Sequence, residues 1–122
     1  MQYTLLIYSN ELPENETDPA ERAQMFEEYG RFTQELEQSG ALVLGRPLEP
    51  STTATTVQVR AGERLVTDGP YAETKEQLGG FYIVDVDSLD EAIRWAAKIP
   101  SARFGTVEIR PVVVFDREAV AS

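Results

Sequence analysis

The chain has 122 residues, no cysteine and no histidine, and carries 21 acidic against 11 basic side chains for a formal charge of −10. That composition excludes disulfides, thiolate metal sites, cysteine nucleophiles and the imidazole that usually serves as a neutral-pH base. The negative field argues against nucleic acid and against anionic membrane surfaces as partners, and the length fits one domain, expected over residues 1–122, that can bury a core without staples.

Tyr3 to Tyr8 is short and rich in β-formers, so a strand is expected there. A polar loop follows from Asn10 to Thr17. Asp18-Pro19 then opens a helix, with Asp18 as the cap, Pro19 in the first turn and Glu21 where a capping acid belongs. Met25, Tyr29, Phe32 and Leu36 form one apolar stripe on that helix, and Gly40 ends it. Ala41 to Leu48 reads as a second strand. Thr55 to Arg60 alternates, with Val57 and Val59 on one face, and a turn at Ala61-Gly62-Glu63 leads into a short strand from Arg64 to Thr67. Asp68-Gly69-Pro70 breaks it. One helical turn is expected between Ala72 and Leu78, closed by Gly79-Gly80, which also admits close backbone approach. Phe81 to Val86 is a strand. Ser88 and Glu91 make a capping box for a second helix whose Leu89, Ala92, Ile93 and Ala96 face the core, and Pro100 stops it. Thr106 to Phe115 is the last strand.

The order is β-α-β, an inserted hairpin, then β-α-β: an α+β, ferredoxin-like split βαβ plan. Its strands are apolar on both sides. Tyr3, Leu5 and Ile7 oppose Leu6 and Tyr8, and Phe81 and Ile83 oppose Tyr82, Val84 and Val86. Two helices cover only one face of a sheet, so the other needs a cover, and the simplest is the same face of a second copy. A homodimer is expected; the alternative is that the inserted hairpin covers the second face. No positive n-region precedes the first apolar run and no stretch approaches the ~20 apolar residues of a membrane span, so a cytoplasmic location is expected.

The densest group of functional side chains runs from Asp68 to Gly80, between two strands. Asp68-Gly69-Pro70-Tyr71 resembles the motif of the DGPF branch of the YCII-related proteins, with tyrosine where that motif has phenylalanine. Ala72 to Tyr82 is similar to that branch's usual continuation, as are Thr53 to Val57, Leu89 to Ala92 and Val107 to Pro111, so the resemblance covers nearly the whole chain. It implies a ferredoxin-like fold pairing as a dimeric α/β barrel, and no agreed activity. Some relatives carry a His–Asp pair proposed as catalytic, which a chain without histidine cannot supply.

From residue chemistry, Asp68 is the candidate for proton transfer, its alternative role being an Asx-type turn. Gly69 and Pro70 read as conformational. Tyr71, Glu73, Thr74 and Lys75 are candidate ligand contacts, with Thr74 and Lys75 suited to a carboxylate or phosphate; the alternative is an exposed, charged turn. Tyr8, Arg46 and Arg110, near strand ends, are candidates to complete an anionic pocket, against ordinary surface ion pairing. Asp85, Asp87 and Asp90 resemble part of a calcium loop but lack its glycine and terminal glutamate, so they read as a strand end and a helix cap, and no metal or cofactor is expected. Three functions compete: a cofactor-independent enzyme acting on a small organic substrate, an anionic one included, with Asp68 in proton transfer; a non-catalytic module that binds a small ligand or regulates; and a structural dimer whose Asp68–Gly80 loop stabilises the barrel.

Overall fold

The computed structural model describes residues 1–12 and 16–115. Pro13, Glu14 and Asn15 of the expected first loop, and residues 116–122, lie outside the described residues. Four strands form one antiparallel sheet: β1 (Gln2–Ser9), β2 (Leu42–Pro47), β5 (Gln77–Asp85) and β6 (Thr106–Pro111), in the order β2-β5-β1-β6. A separate two-stranded sheet pairs β3 (Thr55–Arg60) with β4 (Glu63–Asp68). Two helices, α1 (Pro19–Ser39) and α2 (Leu89–Lys98), complete the α+β arrangement. β5 lies between β1 and β2, and β1 lies between β5 and β6, so each β-α-β connection skips one strand, as in a ferredoxin-like split βαβ unit.

Local chemistry sets the helix ends. The Asp18 carboxylate accepts from the Ala20 N–H at 2.9 Å, Pro19 occupies the first turn, and Gly40 takes the left-handed conformation (φ 82°) that closes α1. For α2, Ser88 accepts from the Glu91 N–H, and the Glu91 carboxylate answers by accepting from Asp87, one residue before the cap.

One face of the sheet and the two helices make the core. Register places Tyr3 opposite Val84 and Leu5 opposite Tyr82, and these four are buried with Phe32 and Leu36 of α1 and Ala92 and Ala96 of α2. Here the second helix differs from expectation. Leu89 and Ile93 are 50% and 47% exposed, while Ala92, Ala96 and Ile99 are buried and Trp95 packs against them. Ile93 lies one residue, about 100° of rotation, past Ala92, and the small alanines, not the larger aliphatics, form the face that approaches the sheet.

Two further expectations are corrected. No helical turn forms between Ala72 and Leu78: the segment bends without helix, and Gln77 and Leu78 already belong to β5. Gln77 explains this, because its side-chain amide donates to the carbonyls of Ala72 and Thr74 and holds the chain open. Gly79 and Gly80 lie inside β5, where a Cβ on Gly80 would come within 3.0 Å of the Arg46 carbonyl oxygen; the close backbone approach is real, but it is between strands. The last strand is also shorter than expected, ending at Pro111.

The second face of the sheet carries Leu6, Phe81 and Ile83, half-buried and outside the core cluster. The hairpin does not bury its own aliphatics: Val57, Val59, Leu65 and Val66 are all exposed.

Candidate functional site

A cleft of about 980 Å³ lies on the helix side of the sheet, between α1 and the β2–β5 edge. Met25, Phe26, Tyr29, Gly30 and Thr33 line it from α1, successive positions of one helical face. Leu42, Gly45 and Arg46 of β2 and Gly80 and Tyr82 of β5 line it from the sheet.

Tyr82 is positioned by a glycine. Gly45 is its cross-strand neighbour, and a Cβ there would lie 2.6 and 2.7 Å from the ring carbons Cδ1 and Cε1. With hydrogen in that place, the ring rests on the backbone of β2. The edge-on contact with Phe32, 5.2 Å between centroids, holds it from the core side. Its hydroxyl then meets Thr33 Oγ1 at 2.7 Å. One turn earlier on α1, the Tyr29 hydroxyl meets Ser101 Oγ at 2.6 Å, in a short 3-10 turn (Pro100–Arg103) after α2. Burial raises the pKa of both phenols above the ordinary value, and the hydrogen bonds to Thr33 and Ser101 only partly oppose it. Both are neutral hydroxyls near neutral pH.

Charge in the cleft is mixed. Arg22 and Arg46 are cationic, and Glu37 is anionic. The Arg46 guanidinium donates to the Gly45 carbonyl at 2.7 Å and has no acidic partner among the described residues. Arg31, Lys98, Arg103 and Arg110, by contrast, are each paired with a carboxylate.

The structure distributes the candidates read from the sequence over three places, and of them only Arg46 lines the cleft. Tyr8 and Arg110 sit on the second face of the sheet, where both engage Glu108: the Tyr8 hydroxyl donates to it at 3.3 Å and Arg110 Nε at 3.1 Å. Burial, then the Glu108 charge, raises the pKa of Tyr8, with Arg110 pulling the other way. Asp68, Tyr71, Glu73, Thr74 and Lys75 lie at the end of β4 and in the loop after it, and all are exposed, Tyr71 at 84%. The Thr74 hydroxyl donates to the Glu76 carbonyl, so its proton is already engaged. Gly69 is conformational, as expected: its φ of 109° suits glycine, its N–H donates to Ala54, and its carbonyl accepts from Thr56. Among the described residues no group of three or more acidic side chains is arranged to hold a metal ion.

Tyr29, Thr33, Tyr82 and Ser101 were not singled out from the sequence. Thr33 was the available signal, a hydroxyl beside Phe32 and four residues after Tyr29, on a helix face that otherwise reads as apolar. Its partner Tyr82 lies 49 residues away and Ser101 lies 72 residues from Tyr29, so the pairs exist only in the folded chain.

Comparison with known proteins agrees with this arrangement in extent. The YCII-related domain model matches residues 1–116, from β1 past the end of β6. An uncharacterised protein of Rhizobium meliloti (strain 1021) is 36% identical over 117 residues, covering 94% of each chain. A family match that spans every strand and both helices leaves one conclusion about descent: the chain belongs to the YCII-related family.

Proposed function

We propose that this protein binds a small organic anion in the cleft between α1 and the β2–β5 edge. The observation that carries the reading is the cleft itself: about 980 Å³, walled by apolar side chains, with a few polar groups converging on it. Small-molecule sites commonly have this construction, at roughly 300–1,000 Å³. Arg46, without an acidic partner among the described residues, is the group that draws the anion.

Binding has more support than proton transfer by Asp68. Asp68 is exposed at the end of β4 and lines no part of the cleft, and the phenols that do line it keep their protons near neutral pH. A thermal-shift screen of small organic acids, followed by product analysis of every hit, separates the two. A hit recovered unchanged supports the binding module. Conversion that disappears in Asp68→Asn supports the enzyme and overturns the preference stated here.

The binding unit we propose is a homodimer. Leu6, Phe81 and Ile83 lie outside the core on a sheet face that neither helix covers, and the hairpin leaves its own valines in solvent, which favours a second copy as the cover. Sedimentation equilibrium tests this; a single well-folded protomer at high concentration counts against it.

A further inference from the structure

Resting on the cleft reading above, we infer that the site is a slot for a flat ring and that its ligand is a planar aromatic carboxylic acid. Three features lead there. The first is a helix wall open at a glycine and a sheet wall faced by a flat ring. On the helix wall, Gly30 stands in the middle of a 21-residue helix, where glycine disfavours the helix relative to alanine. Packing does not require it: nothing lies within 4 Å of where its Cβ would be. On the sheet wall Gly45 has no side chain of its own, and the flat ring of Tyr82 lies over it. A helix wall bare at Gly30 and a sheet wall faced by a ring accept a thin ligand.

The second feature is Phe26, four residues before Gly30 and therefore above it on the same helix face. It lines the cleft and is 83% exposed. An aromatic ring left in solvent beside a hollow is a surface on which another ring stacks or packs edge-on. Met25, from the same turn, offers a thioether for the same purpose.

The third feature sets the polar end. A hydroxyl has one proton to donate and two lone pairs. In each pair, Tyr82 with Thr33 and Tyr29 with Ser101, one proton bridges the two oxygens and the other stays available. The cleft therefore offers two spare O–H donors, together with the guanidinium of Arg46. Donors without matching acceptors select an acceptor-rich anion, and a carboxylate is the simplest that a ring carries.

The test uses 2-naphthoate and benzoate against their saturated counterparts, decahydro-2-naphthoate and cyclohexanecarboxylate, titrated into the ¹⁵N-labelled full-length protein. The expected result is that the flat acids shift the amide signals of Gly30, Gly45 and Gly80 and bind at least tenfold more tightly than the saturated acids. Gly30→Leu should weaken 2-naphthoate at least tenfold without lowering the melting temperature, because the leucine fills the slot in open space. Equal affinity for flat and saturated acids, or full affinity in Gly30→Leu, overturns the slot and leaves the cleft reading standing. If none of the four acids moves a cleft amide, the inference falls, while the cleft reading is decided separately by the broader screen of small organic acids.

Discussion

Two glycines on opposite walls of the cleft should respond to the same substitution with opposite signs. At Gly45 the added methyl would sit 2.6 Å from Tyr82 Cδ1 and 2.7 Å from Cε1. Carbon atoms in favourable contact are about 3.5–4.0 Å apart, so a displacement of about 1 Å is required. The Tyr82 ring cannot swing away freely, since it is buried, packed edge-on against Phe32 and tied to Thr33. Overpacking of this kind costs about 1–3 kcal/mol, and stiffening of the unfolded chain offsets about 0.4–1 kcal/mol of it. The net loss is about 0.6–2 kcal/mol. At Gly30 nothing obstructs the methyl, and a helix-interior alanine gains about 0.8–1 kcal/mol over glycine. For a chain of 122 residues the unfolding entropy at the midpoint is roughly 0.26 kcal/mol/K. Gly45→Ala should therefore melt about 2–8 °C lower than the parent and Gly30→Ala about 3–4 °C higher, by calorimetry at one fixed protein concentration. In a Tyr82→Leu background the Gly45→Ala penalty should largely vanish. A Gly45→Ala variant that melts at or above the parent would show that the ring does not rest on β2, and the stated cause of its hydroxyl's orientation would be wrong.

Leu36 is fully buried in the core, so Leu36→Ala should lower stability by about 2–5 kcal/mol, read as a lower urea midpoint with an unchanged slope. Burial raises the pKa of Tyr82, so above about pH 10 the folded state holds a proton that the unfolded state releases. The stability associated with that proton is fully present below this pH and declines as pH rises through the folded pKa. The urea-midpoint gap between parent and Tyr82→Phe should accordingly narrow between about pH 8 and pH 11.5; a constant gap would refute the assignment. Ile83→Lys puts a charge on the uncovered sheet face without touching the core, so it should leave the circular-dichroism spectrum intact while shifting sedimentation toward a monomer. A parent and variant that sediment alike would remove the support for dimerisation through this face.

Much of the fold was legible along the chain, for reasons that are local. Asp18-Pro19 and Gly40 delimit α1, and Ser88 with Glu91 opens α2, because capping groups act on backbone only a few residues away. The phase of α2 was less legible. Leu89 and Ile93 outrank Ala92 and Ala96 in hydrophobicity, yet closeness to the sheet favours the smaller side chains, and that is a property of the interface. The segment Ala72 to Leu78 was misread as a helical turn because Gln77 competes for its carbonyls, a choice that propensity does not reveal. At the site the loss was larger. The polar run from Asp68 to Lys75 drew attention by its density of functional groups, but these side chains are exposed, and only Arg46 of the candidates reaches the cleft.

The sequence by itself settled the element order, the helix ends, the two-sided apolarity of the strands and the family, since each depends on neighbours in the chain or on a pattern carried along it. Tertiary structure alone decided the cleft. Tyr82 meets Thr33, Tyr29 meets Ser101 and a ring rests on Gly45 only after α1 has packed on the sheet, because those contacts join residues tens of positions apart whose separate chemistries give no sign of one another.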